Sequence, residues 1–350
     1  MTTSTAAKRA CRRGEVLVDG HSCAVDTPVR PGQVVQLVAR ARTAASVAQR
    51  SELARDGDGS SVQRLEVLHE DDHIGVVVKP PFMTCQGTGT MTAQGLLPYS
   101  LRPVEILGAL RKPIHAHRLD NLTGGLLIAA KTRPALQQLG VDFATPGAIS
   151  KRYVAIVKGR LEGRGKVDKP IDGKPSVTLW EVTHVTPSAA WGDITTVSLW
   201  PKTGRTHQLR KHMAYELGTS ILGDPLYRAG ERAGGRAPIG QGSGPSTGLP
   251  GEAPAVSASG VVETGGARCG EAPGSSGVRL VPQGASGEHG KTSAQYKGGT
   301  LSDGTRVGLC LWAVELRFPH PVTRELLVIQ LPEPAVFGDI RRAEAAAALA

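Results

Sequence analysis

Between residues 14 and 39 the chain reads GEVLVDGHSCAVDTPVRPGQVVQLVA, two β-rich runs on either side of a polar stretch. Val16 and Val18 alternate with Leu17 ahead of the Asp19-Gly20 turn, and Pro31-Gly32 makes a second turn before Val34, Val35 and Leu37. Apolar runs punctuated by turn dipeptides predict a small curled β-unit over residues 14–39, within an N-terminal module of residues 1–40. Residues 41–64 are polar, carry Asp-Gly-Asp-Gly-Ser-Ser at 56–61 and read as a linker. From Leu65 the pattern changes. Ile74–Lys79 is an apolar run that stops at Pro80-Pro81, and Gly125–Ala130, Arg152–Val157 and Thr195–Leu199 are three more. Each predicts a buried strand. From His207 to Leu217 the residues favour a helix, with Leu209, Met213 and Leu217 at a spacing of four. Leu309–Phe318 and Leu326–Leu331 predict two closing strands joined through Pro319-His320-Pro321. Strands and helices mixed in this way predict an α+β domain over residues 65–345.

That domain is interrupted. Residues 229–300 hold 19 of the 44 glycines, together with Ser, Pro and Ala and no apolar period, so they cannot bury enough surface to offset chain entropy. They are expected to be a disordered insertion, and loop closure costs rise slowly enough with length to allow it. The formal net charge of +10 and pI near 9.6 favour a polyanionic partner, either nucleic acid or an anionic membrane surface. No apolar run approaches the roughly 18 residues of a membrane span, and no amphipathic anchor is visible, so no membrane partner is expected. Cys11, Cys23, Cys85, Cys269 and Cys310 are widely spaced with no Cys-x-x-Cys pair. This spacing argues against a disulfide framework or structural zinc and for a reducing compartment. The cytoplasm is the first expectation. The basic, Ser/Thr-rich and acid-free first 13 residues keep a plastid or mitochondrion open.

Three clusters could carry chemistry. In His115-Ala-His-Arg-Leu-Asp-Asn-Leu-Thr-Gly-Gly, Asp120 sits where a polar turn meets an apolar run, two residues after Arg118. A carboxylate there can act as nucleophile, general base or metal ligand, or simply cap the turn and pair with an arginine. His115 and His117 alternate as on a strand, a weak zinc pattern without a third ligand. In Lys151-Arg-Tyr-Val-Ala-Ile-Val-Lys-Gly, Tyr153 can point inward from a strand whose basic residues face an anion. In Thr203-Gly-Arg-Thr-His-Gln-Leu-Arg-Lys-His, the residues Arg205, His207, Arg210, Lys211 and His212 crowd a helix start. That position suits phosphate, or a solvated basic face, or an arginine that keeps a buried carboxylate ionised.

Taken together and in order, these segments resemble the RluA-type pseudouridine synthases. HRLDNLTGGLLIAAKT is similar to the motif that carries the family's catalytic aspartate, KRYVAIVKG to its tyrosine-bearing strand, and TGRTHQLRKHMA with ILGDPLY to its longest signature. DDHIGVVVKPPFMTCQG resembles the first strand with its Lys-Pro, and LCLWAVELRFPHPVTRELLVIQLP the closing strands. The likeness implies an α+β pseudouridine synthase fold with a central mixed, largely antiparallel sheet flanked by helices and loops. It implies isomerisation of a uridine in a structured RNA, ribosomal or transfer, with neither cofactor nor metal; a monomer is the default expectation. By the same resemblance Asp120 is the catalytic carboxylate, as nucleophile or as base. Tyr153 stacks on the base and takes the carbon-5 proton, and Arg210 is the ion partner of Asp120. Arg118 fills the place of the flipped nucleotide, while Lys151, Arg152, Arg205, His207 and Lys211 contact RNA. A non-catalytic RNA-binding or RNA-chaperone protein that kept the fold is the alternative. A glycoside hydrolase would need a second facing carboxylate. GEVLVDG and RPGQVVQL resemble the second half of the RNA-binding module of ribosomal small-subunit protein S-four. The chain departs from the family pattern at Asn121, usually basic, at Gly124, usually Ser, and at Trp312, commonly His. Glu216 adds one residue, and Thr219-Ser220 replace His-Pro.

Overall fold

Nine consecutive buried residues, Gly124–Thr132, form a strand that can be satisfied only between two others and beneath cover on both faces. The rest of the sheet is arranged about it. The computed structural model describes residues 8, 11, 16–37, 64–87, 91–229 and 298–350. The expected linker up to residue 63, all but the ends of the expected insertion and most of the first 15 residues lie outside the described residues. In the N-terminal part, β1 (Val16–Val18), β2 (His21–Ser22) and β3 (Val35–Leu37) make a three-stranded sheet in the order β2-β1-β3. The Asp19 carboxylate closes it by accepting from the Val34 N–H and Gln33 Nε2, both at 2.8 Å.

The large sheet uses β4 (Glu66–Glu70), β5 (Ile74–Lys79), β6 (Ala109–His115), β7 (Gly124–Thr132), β8 (Ser150–Lys158), β9 (Arg164–Asp168), β10 (Val177–Ser188) and β11 (Gly192–Pro201). A small pair, β12 (Gly299–Thr300) and β13 (Arg306–Val307), precedes β14 (Leu311–Pro319) and β15 (Leu326–Gln330). The order is β4-β5-β7-β14-β8-β11-β10-β9, with β6 on β7 and β15 on β14. Among the described residues β7 with β14 is the one parallel pairing in this sheet, so it is mixed and largely antiparallel. Because β14 lies between β7 and β8, the segments before and after residues 229–300 share one sheet. Along β7, Leu126, Ile128 and Ala130 enter one core and Leu127 and Ala129 the other.

Helices α1 (Ala93–Ser100) and α2 (Arg133–Ala144) begin at Thr92 and Thr132, whose hydroxyls accept from the N–H groups of Gly95 and Ala135. The helix expected over His207–Leu217 is instead a short α3 (Gln208–Lys211) that runs into a π turn at His212–Glu216. The Leu217 N–H reaches back five residues to the His212 carbonyl at 3.2 Å. A π turn absorbs one extra residue without breaking a helix, and it ends at Glu216, the residue expected to be the extra one. Helix α4 (Ala335–Leu349) closes the chain. Its fully buried Glu344 accepts from the hydroxyls of Ser188 and Ser302, both at 2.6 Å, and from the Ser302 N–H at 2.8 Å. Among the described residues no helix is long and apolar enough to cross a membrane.

Gly124 and Trp312 are packed directly against each other. A Cβ on Gly124 would lie 2.2 Å from Cζ3 of Trp312, and one on Gly125, whose φ is 113°, 2.2 Å from the Ala313 carbonyl oxygen. The paired glycines thus admit the parallel strand, and the Trp312 ring occupies the space that a side chain at 124 would need. Gly124→Ser should therefore cost about 1–3 kcal/mol by overpacking. Adding Trp312→His should recover most of it, as judged by the urea midpoint. Equal stability of Gly124→Ser and the parent protein would contradict this packing.

Candidate active site

Asp120 lies in the loop between β6 and β7, and its two neighbours in sequence are each held from below. The Leu119 N–H donates to Cys85 Sγ at 3.2 Å, and that thiol lies 3.4 Å from the Leu119 carbonyl. On the other side, the Asn121 carbonyl accepts from Lys79 Nζ at 3.3 Å. Lys79 ends β5 with no exposure, and its ammonium also donates to the carbonyls of Pro80 at 2.8 Å and Met83 at 2.7 Å. Burial pushes its pKa down to about 8, against the pull of Cys85 and Asp120. A turn bond from the Thr123 N–H to the Asp120 carbonyl, 3.1 Å, completes the loop. The carboxylate is thus aimed by a backbone that three separate contacts fix.

The side chain of Asp120 is 20% exposed and opens into a cleft of about 130 Å³. Tyr153, Thr123, Lys151, Arg118, Arg205 and His207 line the same cleft. Tyr153 is buried on β8, and burial first, then the charge of Asp120, holds its phenol well above the ordinary tyrosine range. Alternation along β8 sorts its basic residues: Lys151 shares the cleft with Tyr153, whereas Arg152 pairs with Glu315 of β14 at 3.5 Å. Lys211 is likewise engaged outside the cleft, its ammonium 3.0 Å from Asp172. Of the expected RNA contacts, Arg118, Lys151, Arg205 and His207 meet at the cleft, and Arg152 and Lys211 do not.

Arg210 meets two carboxylates. Its closest partner is Asp224, which accepts from Nε and Nη2 at 2.7 Å each, while Nη1 stands 3.6 Å from Asp120 Oδ2. A guanidinium is a planar fork with five N–H groups, so one edge grips Asp224 and leaves another directed at the second carboxylate. Asp224 also accepts from the N–H groups of Leu226 at 2.8 Å and Tyr227 at 3.1 Å. The Tyr227 ring lies 4.9 Å from the Arg210 guanidinium carbon and meets Tyr215 edge to face. His207 has φ 55° and ψ 27°; its Nδ1 is 2.7 Å from Tyr227 Oη, and its Nε2 is 3.9 Å from Asp120 Oδ2. Burial lowers its pKa, with Asp120 opposing.

Asp224, Tyr227, Lys79 and Cys85 were not singled out as site residues from sequence. The signal lay in GDPLY and in the Lys-Pro after β5, which were read as motif and not as partners. His115 and His117 do not converge on a common point. Nδ1 of His115 is 2.6 Å from Gln94 Oε1, and Nε2 of His117 accepts from the Ile128 N–H at 3.1 Å. Burial pushes the His117 pKa down to about 3, so it is a neutral acceptor in the strand framework. Among the described residues no group of three or more His, Cys, Asp or Glu side chains could hold a metal.

Two outcomes follow from the buried charges. Asp224→Ala leaves the guanidinium of Arg210 buried without its bidentate partner and should lower stability by roughly 3–5 kcal/mol. A loss under 1 kcal/mol in chemical denaturation would contradict that role. Lys79 titrates near pH 8 when folded, below its ordinary 10.5. Between those values the unfolded chain holds a proton that the folded one has released, so stability rises with pH. Measured against Lys79→Met, the parent protein should gain roughly 3 kcal/mol across that window; a flat difference would refute the burial argument.

The family described as RNA pseudouridylate synthase matches residues 73–215, the segment that carries Lys79, Asp120, Tyr153, His207 and Arg210. Ribosomal large subunit pseudouridine synthase D of Zymomonas mobilis is 33% identical over 187 residues, 48% of this chain and 57% of the relative. The chain thus spans little more than half the length of that relative. An uncharacterised RNA pseudouridine synthase of Bacillus subtilis is 31% identical over 234 residues, 61% of this chain and 71% of the relative. One of Chloroflexus aurantiacus is 32% identical over 236 residues, 63% and 69%. The matched segment runs from before Lys79 into the π turn and carries Asp120, and two relatives align over more than two thirds of their length: the chain belongs to the RNA pseudouridine synthase family.

Proposed function

We infer that this protein isomerises a uridine of a structured RNA to pseudouridine, with Asp120 as the catalytic carboxylate. The observation that carries the reading is the position of Asp120: a carboxylate at the wall of a cleft, with a buried guanidinium 3.6 Å away and a buried tyrosine lining the same space. The reaction breaks the bond from ribose C1′ to uracil N1, turns the base, and joins C1′ to C5. N1 gains a proton and C5 loses one, so atoms and charge balance with no oxidant, reductant or hydrolysis. The chemistry asks for an anionic group to start the cleavage, a surface that keeps the detached uracil in place, and an acceptor for the C5 proton.

Asp120 supplies the first, as nucleophile at C1′ or as base at the ribose. Arg210 stands 3.6 Å from it, an opposite charge beside the reacting group. Tyr153 supports the second and third requirements. While Asp120 is charged, it opposes ionisation of the phenol. Once the carboxylate has bonded or taken a proton, that opposition is gone and the phenol ionises more readily, so its own proton can pass to N1 and the phenolate left behind can take the one from C5. A stacked uridine cannot reach the cleft and must be flipped out, at a cost of a few kcal/mol that is smallest in loops. Arg118 stands exposed beside Asp120, suited to the vacated place, and Lys151 and Arg205 present positive charge to the phosphates. The names of relatives that act on the large ribosomal subunit make ribosomal RNA the first substrate to test and transfer RNA the second.

Asp120→Asn should abolish pseudouridine formation in ribosomal RNA from cells lacking the gene, while the RNA dissociation constant stays within about threefold of the parent, under 1 kcal/mol. Mass spectrometry of digested RNA reads the product, and filter binding reads the affinity. Turnover by the pure variant would refute the assignment.

A further inference from the structure

His207 begins α3 in a left-handed backbone conformation, yet its side chain makes no capping bond to that helix. Left-handed backbone is uncommon for a residue with a side chain and collects where a site needs a particular aim. Here the twist carries the ring into the cleft, between Tyr227 on one nitrogen and Asp120 on the other. We propose that His207 is a positioning residue, which the Tyr227 hydroxyl orders so that its Nε2–H faces Oδ2 of Asp120 and leaves Oδ1 to the ribose. The proposal rests on Asp120 being the reacting carboxylate.

The ring is half-buried and stands near the Arg210 and Lys211 cations as well as the Asp120 and Asp224 anions, and burial is the largest influence, favouring neutral imidazole. A neutral imidazole has one N–H, and the other nitrogen can only accept. A lone pair turned toward a carboxylate is repelled, so the proton belongs on Nε2. Nδ1 is then an acceptor, and the hydrogen bond of 2.7 Å must be donated by Tyr227 Oη. Tyr227 is itself fixed: its N–H donates to Asp224, Tyr215 packs edge to face against it, and its ring covers the Arg210 guanidinium. One tyrosine therefore sets both neighbours of the carboxylate, the arginine through its ring and the histidine through its hydroxyl. Each of those neighbours makes its nearest approach at the same oxygen, Arg210 at 3.6 Å and His207 at 3.9 Å from Oδ2. These separations exceed a hydrogen bond, and closure of either would orient Oδ2 further. This arrangement also replaces the expected role of His207 as an RNA contact, since a neutral ring turned to a carboxylate offers phosphate no cation.

The test compares Tyr227→Phe, His207→Asn and the double variant. Phenylalanine keeps the ring contacts, and asparagine accepts left-handed backbone but is too short to span the gap. Each single variant should lower kcat about tenfold to a hundredfold, the scale of a misplaced reacting group, with the RNA dissociation constant within about twofold. The double variant should be no slower than His207→Asn alone, because the hydroxyl acts through the ring. Nitrogen-15 spectra of the imidazole should show an Nε2-protonated neutral ring at pH 7 that becomes a tautomer mixture in Tyr227→Phe. Weakened RNA affinity with unchanged kcat, additive losses in the double variant, or an Nδ1-protonated ring would each overturn the proposal. If the parent protein isomerised no uridine, the reading of Asp120 would fail, and the imidazole tautomer would still decide the hydrogen-bonded chain.

Discussion

A guanidinium almost wholly removed from water has to be paired, and the site is organised by how Arg210 meets that requirement. Its side chain is 2% exposed, and a buried cation of this kind carries a desolvation cost of several kcal/mol. Asp224, itself buried, takes two of its N–H groups, and the face of Tyr227 covers the plane. With that charge satisfied, the remaining edge can stand toward Asp120 without being consumed by it. A carboxylate locked into a bidentate pair would be a poor nucleophile or base. One that shares a cation already paired elsewhere keeps its charge and its freedom to react. The two aspartates thus divide the work: Asp224 holds the buried cation, and Asp120 is left open for the chemistry proposed for it.

The sheet delivers these groups to one place. Asp120 precedes the fully buried β7, Tyr153 comes from β8, and β14 lies between the two strands in parallel with β7. That insertion requires Gly124 and Gly125, where added side chains would collide with Trp312 and Ala313. Lys79 and Cys85 then fasten the residues on either side of Asp120 to the end of β5 and the turn beyond it. Precision at the carboxylate is inherited from a framework in which a one-residue slip of β7 along β14 would bring a side chain to a place that only glycine fits.

Much of this was legible in sequence, for reasons that differ from residue to residue. Strands β5, β7, β8 and β11 announced themselves as apolar runs between turns, because burial on both faces leaves little room for polar side chains. The positions of Asp120, Tyr153 and Arg210 followed from motifs in order. What could not be read was which charge meets which. Arg210 and Asp224 are 14 residues apart and meet through a π turn and a tight turn, geometry that no periodicity expresses. Arg152 looked like a partner of Lys151, but adjacent residues on a strand face opposite ways, and only the presence of Glu315 on β14 says where it goes. His207 looked like one more cation in a basic run, whereas its backbone conformation and Tyr227 make it part of the carboxylate's surroundings.

The central claim, that Asp120 drives an isomerisation and not a cleavage, is most directly tested by following hydrogen and base together. RNA bearing tritium at uracil C5 should release it to water in step with pseudouridine formed, with no free uracil, and Asp120→Asn protein should release neither. Free uracil, or tritium release that persists in the Asp120→Asn protein, would contradict the account.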